Sequence, residues 1–372
     1  MAEKALVKRV LVVGQTPPPH GGQAIMIERL LKGSFTQMEL FHVRMAFSED
    51  MESVGKAGLR KVWVLIRTIL AVWVGRFRFR TTILYYPPAG PNRVPVLRDL
   101  ALLGATRFLF RHTVFHFHAG GVSTYREQFG GWLRPLFDLA YGRPDLTIRT
   151  APQNPDDGAA LGTRRDVVVP NGMEDKRGSV EEHSAGPGEP LVLLFTGVLV
   201  RSKGIRVLIE AFINLCQQGA QLNLRVMGRW ADATLRAECE TLLGEAGLLD
   251  RVVFLGVLDG LEKEREFAQC DIFCFPSYFE AESFGLVLVE AMQYAKPVVS
   301  TRWRGIPSVV QDGVSGYLVE VRDSGALAER ISRLVKDPLA RHQMGSAGRR
   351  IFEERFTLKA FHRAMEEAIA AL

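Results

Sequence analysis

Residues 272–300 read IFCFPSYFEAESFGLVLVEAMQYAKPVVS. Ile272–Phe275 is a short apolar run of strand character, ended by Pro276 and Ser277. From Phe284 to Tyr294 apolar residues return at helical spacing, and Pro297–Ser300 is a second apolar run. Strand, helix and strand in so short a span imply a βαβ unit, since parallel strands need a crossover of this kind.

The same grammar extends on both sides. Upstream lie strand Leu191–Phe195, a glycine-containing loop, helix Ile205–Cys216, strand Leu222–Met227, a helix near Ala233–Ala246 and strand Val252–Phe254. The first half opens with strand Val10–Val13, the Gly/Pro-rich loop Gly14–Gly22 and a helical run Gln23–Leu31. It continues through strands Thr82–Tyr86, Thr113–Phe117 and Val167–Val169. At 372 residues the chain exceeds the roughly 250–300 that one core usually fills. The expected fold is therefore α/β, with two Rossmann-like, doubly wound domains and an interdomain cleft. The expected boundaries are 1–180 for the first domain, 181–190 (EEHSAGPGEP) for a linker and 191–355 for the second domain. An amphipathic helix over 356–372 is expected to return to the first domain.

Composition is that of a globular protein, 47% hydrophobic and 24% charged, without repeats or low-complexity tracts. Cys216, Cys239, Cys270 and Cys274 have no zinc-ligand spacing, and Cys270 and Cys274 sit in a strand-like run where thiols suit a core. A reducing compartment follows. The opening MAEKALVKRVLVV lacks the apolar core and cleavage site of a signal peptide, so a cytoplasmic location is expected. Over residues 1–180, Lys and Arg outnumber Asp and Glu by 25 to 15, whereas over 181–372 there are 22 against 26. The basic half is expected to meet something anionic.

The candidate chemistry lies in Glu282 and Glu290, separated by seven residues. Ser283-Phe284-Gly285-Leu286 stands where a loop becomes a helix, so its amides can face a phosphate, and Gly285 permits close approach. Glu290, deeper in the helix, suits a ribose diol, as acidic residues do in dinucleotide sites. Glu282, ahead of the helix, is free for a sugar hydroxyl.

This segment resembles the glutamate-x7-glutamate signature of retaining GT-B glycosyltransferases of family GT4 (glycosyltransferase group 1), of the type found in bacterial surface or exopolysaccharide assembly. Gly197-Val-Leu-Val-Arg-Ser-Lys203-Gly204 is similar to the family loop that neutralises the donor diphosphate. The resemblance assigns that role to Lys203, assisted by Arg201, although Val198 stands where the family often has arginine. Pro17-Pro-Pro-His-Gly21-Gly22 resembles its glycine-rich loop facing the diphosphate, and His118 in FHFHAGG resembles its histidine near the transferred sugar. Gly228 and Gly256 match positions that hold the base, Gly305-Ile-Pro-Ser308 a loop that more often ends in glutamate, and Pro170-Asn171-Gly172 an interdomain turn. The resemblance implies a nucleoside-diphosphate sugar as donor, no cofactor and no catalytic metal. It also implies front-face attack by the acceptor.

Residues 58–80, GLRKVWVLIRTILAVWVGRFRFR, carry six basic residues and no acidic one. On a helical wheel Val62, Trp63, Leu65, Ile66, Ile69, Leu70 and Trp73 cluster, with Arg60, Lys61, Arg67 and Thr68 opposite. The run is too charged to span a bilayer and fits a helix lying in the headgroup plane or, alternatively, an ordinary packing helix. Tyr85-Tyr86-Pro87-Pro88 and Arg93–Arg98 are placed to contribute to an acceptor site. The expected partners are thus a nucleotide sugar, a lipid-linked glycan acceptor and an anionic membrane surface, with the protein peripheral at the inner face. The aliphatic interleaving of the basic stripe argues against nucleic acid. The competing readings are a transferase with a soluble small-molecule acceptor, a sugar-nucleotide 2-epimerase and a non-catalytic nucleotide-sugar binder. A dinucleotide oxidoreductase is disfavoured by the absence of G-x-G-x-x-G after either opening strand.

Overall fold

Five consecutive buried residues, Val10–Gly14, mark the first strand as one covered on both faces, which is the pattern of a parallel sheet. The structure, a computed structural model, describes residues 7–18, 21–47, 59–88, 90, 92–182, 186 and 188–372. Pro19, His20, Gly58 and part of the 181–190 stretch lie outside the described residues.

In chain order the first half forms β1 (Lys8–Gly14), α1 (Gly22–Leu31), β2 (Met38–Arg44), α2 (Leu59–Arg78), β3 (Ile83–Tyr86), α3 (Arg93–Thr106) and β4 (His112–Phe117). It continues with α4 (Tyr125–Gln128), α5 (Leu133–Tyr141), β5 (Leu146–Arg149), α6 (Asp157–Leu161) and β6 (Asp166–Val168). All six strands are parallel, in the order β2-β1-β3-β4-β5-β6. One face of the sheet packs Leu84, Tyr86, Phe115 and Phe117 against Val72 of α2, Leu100 and Leu103 of α3 and Phe137 of α5.

The second half forms β7 (Leu191–Thr196), α7 (Ile205–Gln217), β8 (Leu222–Met227), α8 (Ala233–Glu245), β9 (Val252–Gly256), α9 (Gly260–Gln269) and β10 (Ile272–Phe275). Then follow α10 (Leu286–Gln293), β11 (Val298–Thr301), α11 (Ile306–Val309), β12 (Gly316–Val319), α12 (Ser324–Lys336), α13 (Pro338–Ile351) and α14 (Leu358–Ala370). Its sheet order is β12-β11-β10-β7-β8-β9. Connections run one way from β7 and the other way from β10, so their adjacent C-terminal ends form a topological switch point. Open α/β sheets bind ligands at such points. Cys270 and Cys274 are fully buried core residues, and all four thiols are free.

Two units result, Met1–Met173 with Leu358–Leu372, and Glu174–Thr357. The division falls ahead of 181–190 because residues 175–182 are already tied to the second unit. Arg349 forks Asp175, Lys176 Nζ donates to Glu264 Oε1 (2.7 Å), and Gln293 Oε1 accepts from the Lys176 amide (3.1 Å). A π turn, Phe352–Phe356, precedes the return of the chain to the first unit. There Glu366 Oε1 accepts from the Gln37 amide (2.6 Å), and His362 Nε2 lies 2.9 Å from the Arg29 carbonyl.

Three strands stand beyond those the sequence suggests. β2 buries only Met38 and Val43, so its polarity hides an edge strand, while β5 and β12 have four residues each. The helix expected from Phe284 starts at Leu286, because Gly285 takes φ +77° as its cap. Phe284 therefore lies outside the helix, buried edge-on against Phe356 at 5.6 Å.

Within the first core, Asp99 is fully buried. Its Oδ1 accepts from Tyr86 Oη (2.6 Å) and from Arg98 Nε and Nη2 (2.9 and 2.7 Å), and its Oδ2 accepts from Tyr141 Oη (2.9 Å). Burial, then the Asp99 charge, holds both tyrosine hydroxyls protonated far above the usual range. Breaking such a group by removing one partner costs about 3–5 kcal/mol. Asp99→Ala should lose that much in urea unfolding; a loss under about 1 kcal/mol would show that the network carries no stability.

Candidate functional site

The second unit gathers its candidate residues at the switch point. After β7, Gly197 takes φ +155° and the chain turns through Arg201–Lys203 into Gly204, at φ +83°. A Cβ on Gly204 would lie 2.1 Å from the Pro276 carbonyl oxygen, so only glycine lets this loop close on the end of β10. The closure is locked by the Tyr278 amide donating to the Ser202 carbonyl (2.7 Å).

Lys203 Nζ consequently meets Glu282 Oε2 at 2.5 Å, and Ser277 Oγ donates to the same oxygen (3.1 Å). The ammonium also lies over the rings of Phe279 (4.5 Å) and Phe275 (5.4 Å), where aromatic faces favour a cation. Glu282 is buried, and its carbonyl accepts from the Gly305 amide (3.4 Å). Gly305 carries no side chain for a clear reason, because a Cβ there would stand 1.9 Å from the Ser283 carbonyl oxygen. Trp303 Nε1 donates to the Phe279 carbonyl (2.7 Å), holding the loop from the other side.

Glu290 projects from α10 to Lys263 Nζ of α9 (2.6 Å), while its Oε2 is buried without a protein partner. Gly256 ends β9, and its carbonyl accepts from the Gly228 amide (2.7 Å), itself stacked on Gly197. Arg201 turns elsewhere, forking Glu238 of α8 at 2.7 and 2.8 Å in an exposed pair. The structure thus joins Lys203 to Glu282, with Gly197 on the loop after β7 and Ser283, Gly285 and Leu286 where the loop after β10 enters α10, while Glu290 lies deeper in α10 against Lys263. It gives Arg201 a different partner. Sequence reading missed Ser277, Lys263 and Trp303; Lys263 sits in the charged run LEKERE, where nothing marks one lysine from a solvated face.

In the first unit Gly21 caps α1 in an extended conformation and Gly22 opens the helix, leaving its first amides uncovered by any side-chain cap. His118 follows β4, and its ring packs against that of His116 at a tilt of 35°, centroids 4.0 Å apart. His116 Nδ1 is 2.6 Å from Tyr85 Oη. Burial pushes Tyr85 up, so its hydroxyl stays protonated beside the His116 ring. Burial pushes His118 down to about 3, and burial and then His118 lower His116, so both rings are neutral at neutral pH. Tyr85 and Tyr86 are fully buried and Arg98 is committed to Asp99, so these three are not the free acceptor-site groups that the sequence suggested.

Residues 179–351 match the family model described as glycosyl transferases group 1. A phosphatidyl-myo-inositol mannosyltransferase of Mycobacterium leprae is 32% identical over 225 residues, 59% of this chain and 56% of that protein. O-antigen chain mannosyltransferase C of Escherichia coli is 28% identical over 252 residues, 66% of this chain and 65% of that protein. The match thus spans less than two thirds of either relative. Among solved structures, Anabaena Alr3699/HepE in complex with UDP superposes with a TM-score of 0.73 at 20% identity, covering 98% of this chain and 100% of that one. At that identity the likeness concerns the fold, which is of the expected α/β, GT-B class.

The histidine pair links pH to stability. Its folded-state pKa values lie below the unfolded value of about 6.5, so the stabilisation is complete above that pH. It is lost as pH falls toward His118's value of about 3. Each histidine contributes a slope of at most about 1.4 kcal/mol per pH unit. Urea unfolding of His118→Asn should show a flatter decline below neutrality than the parent; an unchanged slope would contradict the buried neutral state.

Proposed function

Since the chain carries a group 1 glycosyl transferase domain over residues 179–351, we propose that it moves a sugar, with retention, from a nucleoside-diphosphate sugar to a hydroxyl of a lipid-linked glycan in surface or exopolysaccharide assembly. The observation that carries this reading is the Lys203–Glu282 pair, at the switch point beside the start of α10.

A donor diphosphate entering there competes with Glu282 for Lys203. The exchange gives the phosphate a cation and releases the carboxylate to hydrogen-bond the sugar. The amides at Gly285 and Leu286 add positive potential at the same place. Glu290, oriented by Lys263 and with Oε2 unpartnered, takes the ribose hydroxyls, and Gly197 and Gly256 give the nucleotide room beside the backbone. Arg201 assists once it leaves Glu238. From the first unit, Gly21 and Gly22 serve the diphosphate and His118 the transferred sugar, as the resemblance implies.

In the reaction the bond from the anomeric carbon to the diphosphate oxygen breaks, and a bond to the acceptor oxygen forms on the same face. The acceptor's proton passes to the departing phosphate oxygen. Negative charge grows on the leaving group, so Lys203 stabilises the transition state more than the ground state, without a metal ion. A neutral His118 accepts or donates a hydrogen bond to the sugar without adding charge near the developing cation.

Among the described residues no helix is long and apolar enough to cross a membrane. Contact with an anionic inner leaflet is assigned to the outer face of α2, whose helix bears five basic residues and no acidic one.

A thermal-shift panel of nucleoside diphosphates and nucleotide sugars tests the assignment. At about 100 Kd the right donor should add about 2.7 kcal/mol of stability. Lys203→Ala and Glu290→Ala should abolish that shift, whereas His118→Ala should keep it and lose turnover. Wild-type donor affinity in either of the first two variants would remove the basis of the assignment. A parent protein indifferent to the whole panel would remove the transferase reading.

A further inference from the structure

Helices α2, α3 and α5 form one layer on the first sheet, and its outer side is unusually apolar. On α2, Val62, Trp63, Ile66, Leu70, Val74 and Phe77 are each more than half exposed, and they recur on one face. The inward face of the same helix carries Thr68, Val72 and Gly75. Thr68, expected among the polar residues, is buried and donates to the Val64 carbonyl (2.7 Å). Leu65 and Ile69 pack against the core, leaving the others to solvent.

The apolar surface continues beyond the helix. The Trp73 ring stands edge-on to Phe108 (5.8 Å), and its Nε1 donates to the Ala105 carbonyl (3.1 Å). Phe108 is 66% exposed and Leu139 of α5 is 62% exposed. These two residues share the lining of a cavity of about 390 Å³ with Arg107, Arg111 and Arg143.

The arginines are not equivalent. Arg107 is structural, its guanidinium donating to Thr113 Oγ1 and to the carbonyls of Leu139, Ala140 and Arg143. The cavity's two carboxylates are already matched. Arg126 forks Asp138, and Asp145 pairs with Arg164 (3.1 Å) and accepts from the Thr113 amide (2.9 Å). Among the described residues, Arg111 and Arg143 have no ion-pair partner. Arg111 and Arg143 thus line one cup without an ion-pair partner, and arginine donors suit an oxyanion such as a phosphate. A soluble phosphate would have no use for Phe108 and Leu139 at the rim, whereas a phospholipid carries acyl chains beside its phosphate.

We propose that this cup binds the headgroup phosphate of an anionic phospholipid while the outer face of α2 and Phe108 enter the adjoining acyl boundary. The inference rests on the membrane contact assigned above and adds a discrete lipid site to it. Trp63 and Trp73 then sit at the interface, as tryptophans do.

Vesicle flotation of the full chain tests the site. One set of phosphatidylcholine vesicles contains phosphatidylglycerol, and a second matches its surface charge with a fatty acid that has no phosphate. The surface potential is the same in both sets, so the parent should favour the phosphatidylglycerol set about tenfold through its phosphate alone, the effect of one hydrogen bond to a charged group at about 1.5 kcal/mol. Arg111→Ala/Arg143→Ala should bind both sets alike, and Trp63→Ser/Leu70→Ser should weaken binding to both. An unchanged preference in the arginine variant overturns the lipid site. So does tight binding of inorganic phosphate that ignores vesicles, which marks a site for free phosphate. A monomeric arginine or tryptophan variant of a dimeric parent overturns it as well, by marking the face as an interface between two copies. If the parent floats with neither vesicle set, the membrane contact itself fails.

Discussion

The candidate site depends on a close approach that only a bare α-carbon permits. β7 and β10 lie side by side and parallel, but the loops leaving them run to opposite sides of the sheet. Lys203 leaves on one loop and Glu282 on the other. They meet because Gly204 rests on the Pro276 carbonyl where a methyl group would collide. Gly228 on Gly197 and Gly305 on Ser283 repeat the device, each with a carbonyl within 1.9 Å of where a Cβ would be. Three glycines thus draw four strand-end loops into one small region, and the glutamate-rich segment acquires its partners there.

The two units treat their polar groups differently. In the second, both candidate carboxylates are partly buried and each is covered by a lysine, Lys203 for Glu282 and Lys263 for Glu290. A carboxylate in that setting without a cation would carry a heavy desolvation cost, which each lysine offsets. In the first unit the histidines are kept neutral by burial, and one is oriented by a tyrosine hydroxyl.

Helix α2 shows why an apolar wheel can mislead. Both sides of this helix carry bulky apolar residues, and amphipathicity alone does not say which side packs. The choice is made by Gly75, where a Cβ would lie 3.2 Å from Leu11 of β1. Close contact with the sheet turns Val72 and Thr68 inward, with Thr68 tolerated because its hydroxyl bonds within its own turn. Trp63, Ile66 and Leu70 are left outside, beside the arginines.

The alternation of apolar runs with helical periods determined, by itself, that this chain folds as two parallel α/β units, because strand and helix periodicities are local properties. The spacing of Glu282 and Glu290 around Gly285 likewise placed a loop-to-helix transition within two residues of where it lies. Partner choice was beyond such reading. Lys203 finds Glu282 79 residues away, Arg201 finds Glu238 37 away, and Lys263 finds Glu290 27 away. Those pairings follow from which strands lie side by side, and strand order is a long-range outcome of packing. Tertiary structure alone therefore decided that Lys203 rather than Arg201 faces the carboxylate, that Tyr86 and Arg98 serve the core, and that α2 keeps an apolar face in solvent.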